Sequence, residues 1–517
     1  LNHWIVAPVL LPAVLGALIV LIARFDPVLQ RRLSVLGCSL GLLLALCLFM
    51  TVLRQPALAY RLGDWPAPFG IVLVLDPLAA MMLLLSAILG LAVAGYAAGR
   101  EDENGPHFHA LLQFQLMGLN GAFLTGDLFN LFVFFEILLI ASYGLMLHGG
   151  GEARFRNGFH YVVINLVGAL VFLIGAGLIY GVTGTLNLAD LALKAPLVES
   201  GDAALFRLGG ICLLIVFGLK AALVPFHFWL PGTYRSTSFT SAAMFAILTK
   251  VGAYAIIRAS TLVFGFGGGA AAHLFTPYLL PAALLTSGLG LLALPGARSL
   301  GTLAAFAMLG SSGTLFVGLA TDESAGLAAS LYYLVHSTLA GAAFYLLADR
   351  LVDRSGGRFG PQGDRILPRL AEGQGRATAA AFMLLAVMIA GLPPFSGFLG
   401  KIFILQAVLG AALAPALQGL VLAVVLLGSF FAMAGFTRAG VLLFWQPAPA
   451  TDEPPPRQSV GGVWAIGGLM AALLALTVAA GPSLAFFERT ANLLLAPEAY
   501  VSAVLGQHVQ APPAEEP

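Results

Sequence analysis

The sequence predicts an all-α polytopic membrane protein of about fourteen transmembrane helices, built as two inverted five-helix repeats with two broken helices. Three observations predict it. Of the 517 residues, 59% are hydrophobic and 9% charged, where a soluble domain carries roughly a quarter charged. The 61 glycines and a mean hydropathy of +0.94 suit helices packed in lipid, where small residues let backbones approach. Apolar runs able to cross a hydrocarbon core about 30 Å thick recur along the whole chain.

Taken in order, the spans begin near Trp4, Leu33, Leu78, His109, Leu128, Phe159, Leu208, Ser238, Tyr278, Leu300, Ala325, Ala377, Leu420 and Trp464. The first lacks a basic flank and is too long for the apolar part of a cleaved leader, so none is expected. Thr125-Gly126-Asp127 reads as a very short hairpin between the fourth and fifth helices. In the seventh helix Pro225-Phe226-His227-Phe228-Trp229-Leu230 is echoed by Pro394-Phe395-Ser396-Gly397-Phe398-Leu399 in the twelfth. An odd helix offset reverses direction across the membrane, which makes the repeat inverted, and proline interrupts both copies. The expected division is residues 1–108 for the first three helices, 109–263 for the first repeat and 275–445 for the second. Residues 446–517 hold the last helix and a polar tail.

Cytoplasmic loops collect Lys and Arg. Of the 25 such residues, sixteen fall in odd-numbered loops, the group running from Arg24 through Arg154, Arg298 and Arg365 to Arg457. Six, including Arg207 and Arg258, fall in even-numbered loops or the tail. Both termini are therefore expected outside, with the longest polar connection, from Asp349 to Arg376, on the cytoplasmic side. A Pro-rich loop follows from Pro447 to Pro456, and the tail from Ala511 reads as disordered.

Only Lys220, Lys250 and Lys401 lie inside apolar runs. An ionisable group at a helix centre costs about 2.5–3.5 kcal/mol even on the lenient insertion scale, so these positions point to function. Glu136 stands mid-helix after Phe132, Phe134 and Phe135, where a carboxylate needs either a proton or a cation partner. Lys220 precedes Pro225 by about 7–8 Å of helix. It either pairs with Glu136 and switches charge state, or satisfies the backbone freed by the proline. Lys250 is too deep to snorkel and needs an internal polar path. Lys401 lies roughly 10 Å beyond Pro394, as the far terminal of the second half or as a snorkelling lysine. His336, beside Tyr332, Tyr333 and Ser337, suits a proton relay or is held by a hydroxyl. His227, with Pro225, Pro393 and Pro394, shapes the helix breaks.

Several classes are excluded. A net charge of +1 argues against nucleic acid as partner. Cys38, Cys47 and Cys212 sit in apolar runs without metal-ligand spacing, so no metal or cofactor is expected. The glycines around Gly265–Gly269 follow no strand, and neither a Walker lysine nor a Ser/His/Asp elbow occurs.

At Gly126–Glu136, Lys220–Leu230, Lys250–Tyr254 and Gly391–Phe398 the chain resembles the antiporter-like subunits shared by respiratory complex I and the Mrp/Pha multisubunit cation/proton antiporters. The run GDLFNLFVFFEILLIASYGLM looks most like the D subunits of the Mrp/Pha group; complex I relatives usually keep Trp where this chain has Phe135. The resemblance implies a fold of that family and a proton-translocating subunit of an Na⁺(K⁺)/H⁺ antiporter in the bacterial inner membrane. It implies partners in the other antiporter subunits, and no enzymatic chemistry. The alternative is a proton-pumping subunit of a complex I-like or hydrogenase-type redox complex. By position, Glu136, Lys220, Lys250 and Lys401 match the family's buried hydrophilic axis. Ala340 stands where many relatives carry a lysine after the histidine, and Arg298-Ser299-Leu300-Gly301 replaces a basic, Ser-rich start, as in a divergent branch of K⁺-linked Pha type.

Overall fold

The computed structural model describes residues 2–353, 364–367, 376–446 and 462–506. Arg354, Arg358, Arg369 and Arg457, the Pro447–Pro456 loop and the tail from Ala511, all used in the sequence reading, lie outside the described residues.

Each of the fourteen predicted spans contains a helix. The first six are α1 (Ala7–Leu21), α2 (Pro27–Val52), α3 (Pro77–Ala97), α4 (Phe108–Leu124), α5 (Leu128–Leu147) and α6 (Glu152–Thr183). A short α7 (Leu188–Lys194) follows. The seventh span divides into α8 (Ala203–Lys220) and α9 (Trp229–Ser236), and the eighth into α10 (Phe239–Phe245) and α11 (Leu248–Leu262). Then come α12 (Thr276–Leu292), α13 (Leu300–Leu319) and α14 (Ser324–Asp353). The twelfth span divides into α15 (Arg376–Ala390) and α16 (Ser396–Gly410), followed by α17 (Pro415–Phe444), α18 (Val463–Val478), α19 (Ala480–Leu495) and α20 (Glu498–Leu505). Among the described residues ten helices are long and apolar enough to cross a membrane, or eleven when the bent pair α18 and α19 counts as one.

Local chemistry sets the boundaries. Asp26, Asp76, Asp127 and Ser299 each accept a backbone N–H at the start of α2, α3, α5 and α13, satisfying donors that a helix leaves unpaired. α6 ends on Gly184 in the left-handed region, φ 68°. The Thr125-Gly126-Asp127 hairpin is where the sequence puts it. Gly126 donates to the Val72 carbonyl at 2.9 Å and accepts from Leu188 at 2.9 Å.

Four features depart from the expectation. An antiparallel hairpin, β1 (Leu58–Arg61) with β2 (Val72–Leu75), joins α2 to α3. The eighth span is not a plain helix, because Ala246, Ile247 and Lys250 donate to carbonyls three residues back, a tight turn beside Lys250. The last span bends by 81° between α18 and α19. There Pro482 has no N–H to give, and in an unbroken helix its ring would crowd the Val478 carbonyl. Arg258, counted from sequence as a loop residue, is 3% exposed inside α11. Its guanidinium meets both Asp76 oxygens at 2.5 Å, so the charge is buried because it is paired.

α14 is central: it packs against α10, α13, α16, α18 and α19 and carries His336. α8 packs against α6 and α11. These contacts bring the lysine-bearing segments together.

Candidate functional site

Both proline breaks end the preceding helix in the same way. Ala222 (φ 55°) and Gly391 (φ 76°) are left-handed, each three residues before the matching proline, Pro225 or Pro394. Leu223 donates to Gly218 at 2.8 Å and Leu392 to Val387 at 3.1 Å, each spanning five residues as in a Schellman cap. Pro225, Pro393 and Pro394 are exposed on the outer face of the chain, and half-buried His227 lies in the single turn Phe226–Phe228.

In lipid, every backbone group that a break frees needs a partner. At the first break Ser312 of α13 donates to the Ala221 carbonyl at 2.8 Å, and the Val224 N–H donates to Thr286 of α12 at 2.8 Å. Trp229 Nε1 donates to the Leu219 carbonyl at 2.9 Å. At the second break Thr477 accepts from the Ser396 N–H at 2.9 Å. Lys401 Nζ itself donates to the Ala390 carbonyl at 2.9 Å and to Ser429 Oγ at 2.8 Å. Ala221 and Ala390 are register equivalents, so one break is closed by a hydroxyl and the other by a lysine.

Glu136 lies mid-way along α5, half-buried, on a stripe with the exposed Phe129, Val133 and Ile140. Lys220 is the last residue of α8 and buried. The two interact through their charges, yet among the described residues they form no ion pair within 4.0 Å. Lys220 Nζ instead donates to Asn165 Oδ1 of α6 at 2.8 Å and stands 5.9 Å from the Phe135 ring centroid. Asn165 Nδ2 donates to the Tyr161 carbonyl, and the Tyr161 hydroxyl meets Ser142 Oγ at 2.9 Å.

Lys250 is 1% exposed and its Nζ reaches Thr249 Oγ1 at 3.2 Å, with no carboxylate beside it among the described residues. Gly252 explains how close α11 comes to the end of α8. A Cβ there would lie 2.4 Å from the Ala221 nitrogen and 2.8 Å from the Lys220 carbonyl carbon. His336 is 2% exposed, and its Nδ1 pairs with Ser396 Oγ at 2.9 Å. The charges of Lys401 and Lys250 both act on its ring. His336, Lys401, Tyr333, Ser311 and Ser337 line a cavity of about 20 Å³, enough for one water molecule. Gly391 serves twice, since a Cβ would strike Lys401 Cδ at 2.8 Å.

The structure thus sets Glu136, Lys220, Lys250, His336 and Lys401 on α5, α8, α11, α14 and α16. Asn165, Ser396 and Ser429 are contacts that the sequence reading missed. Asn165 had a signal, as a polar side chain in the run Val162-Val163-Ile164-Asn165-Leu166-Val167, but a search for ionisable groups passes over an amide. Among the described residues no group of three or more His, Cys, Asp or Glu is placed to hold a metal ion.

The family profile described as "NADH:quinone oxidoreductase/Mrp antiporter, TM" matches residues 125–431. The chain is 38% identical to the D subunit of a probable K(+)/H(+) antiporter of Rhizobium meliloti (strain 1021), with 98% of each chain covered. It is 34% identical to the D subunit of an Na(+)/H(+) antiporter of Bacillus subtilis (strain 168), covering 98% of this chain and 100% of that one. Among solved structures, a chain in "Structure of Mrp complex from Dietzia sp. DQ12-45-1b" superposes with a TM-score of 0.83 at 27% identity. That match covers 98% of this chain and 100% of the other.

Proposed function

We propose, starting from the fact that this chain belongs to the NADH:quinone oxidoreductase/Mrp antiporter family, that it is the proton-translocating subunit of a multisubunit Na⁺(K⁺)/H⁺ antiporter. Its relatives in Rhizobium meliloti and Bacillus subtilis are named as the D subunits of K⁺/H⁺ and Na⁺/H⁺ antiporters, which supports a transporter component rather than an enzyme. Its partners are the other subunits of a hetero-oligomeric membrane complex. The observation that carries the reading is the row of buried ionisable groups from Glu136 through Lys220, Lys250 and His336 to Lys401. Four of the five are nearly inaccessible, and such groups at membrane depth mark proton relays.

The mechanism is Coulombic switching. A proton arriving at Glu136 weakens its hold on Lys220, whose ammonium then shifts a proton toward Lys250. The altered charge at Lys250 is felt at His336, and through it at Lys401. Asn165 steadies Lys220 while Glu136 changes state. His336, bridged to α16 by Ser396, links the two halves. Residues 109–263 and 275–445 act as the two inverted repeats, a division supported by the matching caps at Ala222 and Gly391. The chain is a multi-pass protein of the bacterial inner membrane with both termini outside, in line with its Lys and Arg distribution.

The test is to express the whole complex and follow the pH gradient of inverted vesicles as NaCl or KCl is added. Collapse of the gradient by one salt identifies the exchanged cation. No effect of either salt on an assembled complex overturns the reading and favours a redox-driven pump.

A further inference from the structure

Five arginines from four separate connections line one cavity of about 900 Å³. Arg154 and Arg156 lie in the first turns of α6, Arg235 in the last turn of α9, and Arg298 just before α13. Arg365, beyond α14, is held there by its backbone bridge to Ser299. All five belong to the odd-numbered loops expected on the cytoplasmic side. The tendency of such loops to collect cations accounts for their number but not for their convergence. Two carboxylates share the cavity. Asp364 already accepts from the Gly301 N–H at 3.3 Å, and Glu152 is exposed in the first turn of α6. Arg156, Arg235 and Arg298 are exposed, and among the described residues their side chains form no ion pair or hydrogen bond.

One wall of the cavity is built from fixed parts. Buried Arg154 donates from Nε to the Ser236 carbonyl at 3.2 Å and from Nη1 to the His148 carbonyl. Asn157 donates to Ser236 Oγ at 2.7 Å. These bonds tie the Ser236–Thr237 connection between α9 and α10 to α6. Thr237 lines the cavity, is 4% exposed, and its Oγ1 has no hydrogen-bond partner among the described residues. A buried hydroxyl left in that state is costly unless a group from outside the chain meets it. α6 itself starts on Gly151 without a side-chain cap, which leaves the positive end of a long helix at the cavity. Unpaired guanidinium forks, an open helix start and a free hydroxyl together suit a phosphate. From the same end of α6, Phe155, Phe159, Val163, Leu166 and Leu170 form an exposed apolar stripe at helical spacing, a surface on which an acyl chain can lie.

We propose that this cavity binds the phosphate of an anionic lipid headgroup through Arg156, Arg235, Arg298 and Thr237, with the acyl chains along the exposed stripe of α6. Basic pockets between helices on the cytoplasmic side recognise such headgroups. The bound phosphate joins α6 and α9 of the first half to the start of α13 in the second, and it neutralises arginines that otherwise repel one another. The site is separate from the row of buried ionisable groups and does not depend on which cation is exchanged.

The experiment incubates the purified whole complex with phosphatidylglycerol or zwitterionic phosphatidylcholine and uses native mass spectrometry to read the lipid retained by this chain. Wild type is expected to retain phosphatidylglycerol in preference to phosphatidylcholine. The double variant Arg24→Gln with Arg32→Gln, which removes two exposed arginines of the same expected side outside the cavity, should retain as much. Arg235→Gln with Arg298→Gln should retain roughly tenfold less or worse. Equal retention by that variant overturns the proposal, as does equal retention of phosphatidylcholine by wild type. Displacement of the lipid by inorganic phosphate overturns it in favour of a soluble anion, and loss of a neighbouring subunit from the double variant overturns it in favour of a protein interface. If the double variant does not assemble, Thr237→Val, which keeps every charge, decides: roughly tenfold weaker retention is expected, and unchanged retention overturns the proposal.

Discussion

Lys220 Nζ donates to Asn165 Oδ1 at 2.8 Å, so the buried ammonium at the end of α8 is held by a neutral amide and not by a carboxylate in direct contact. Glu136 acts on it from beyond ion-pair distance. A permanent short salt bridge would fix both charges. An amide anchor with a more distant carboxylate leaves the lysine free to change state as Glu136 gains or loses its proton.

Asn165→Leu removes that anchor. A hydrogen bond to a charged group contributes about 1.5–3 kcal/mol, so antiport in vesicles should fall about ten- to a hundredfold with assembly retained. A wild-type rate would show that Asn165 only fills space.

The approach of α11 to the first break depends on Gly252. Gly252→Ala puts a Cβ 2.4 Å from the Ala221 nitrogen and should lower the stability of the purified complex by about 1–3 kcal/mol. Gly177→Ala, inside α6 with open space around the new methyl, should leave the thermal midpoint at or above that of wild type. Equal midpoints for both variants would contradict the packing argument.

Arg258→Ala strands Asp76 without its cation and should cost about 3–5 kcal/mol, read as lost folded protein and a lower thermal midpoint. Arg258→Met combined with Asp76→Leu should recover most of that loss and keep antiport, because the pair is structural. A double variant that folds but does not transport would place the pair in the proton path.

Asp102 gives the acid dependence of the α2–α4 corner. Burial alone would raise its carboxyl, but His109 and Arg31 outweigh burial and hold it at about 2, below the ordinary 3.8. A depressed folded value contributes stability that is complete above the unfolded value and lost as pH falls from about 4 to about 2. Asp102→Asn should therefore lower the thermal midpoint at pH 7, and the difference from wild type should shrink toward pH 2. A constant difference across that window would mean that the charge is irrelevant.

The membrane spans were legible because an apolar run and a lysine inside it are local facts, and Pro225 and Pro394 announce their breaks by removing a donor. The turn at Ala246 and Ile247 carries neither Gly nor Pro, since Tyr234 stabilises it from another element. Arg258 was misread for a related reason. Its partner Asp76 lies 182 residues away, and without that carboxylate an arginine near the end of an apolar run looks like loop. Of the site, the ionisable groups could be named from sequence. What holds them could not, because Asn165, Ser396 and Ser429 reach them only through tertiary packing.

The most direct test of the central claim is cation-induced collapse of the pH gradient in inverted vesicles carrying the whole complex, with wild type beside Glu136→Ala. Collapse in wild type, and none in a Glu136→Ala complex that assembles normally, is the predicted result. Full exchange by the Glu136→Ala complex would contradict the claim that the coupled protons run through this chain.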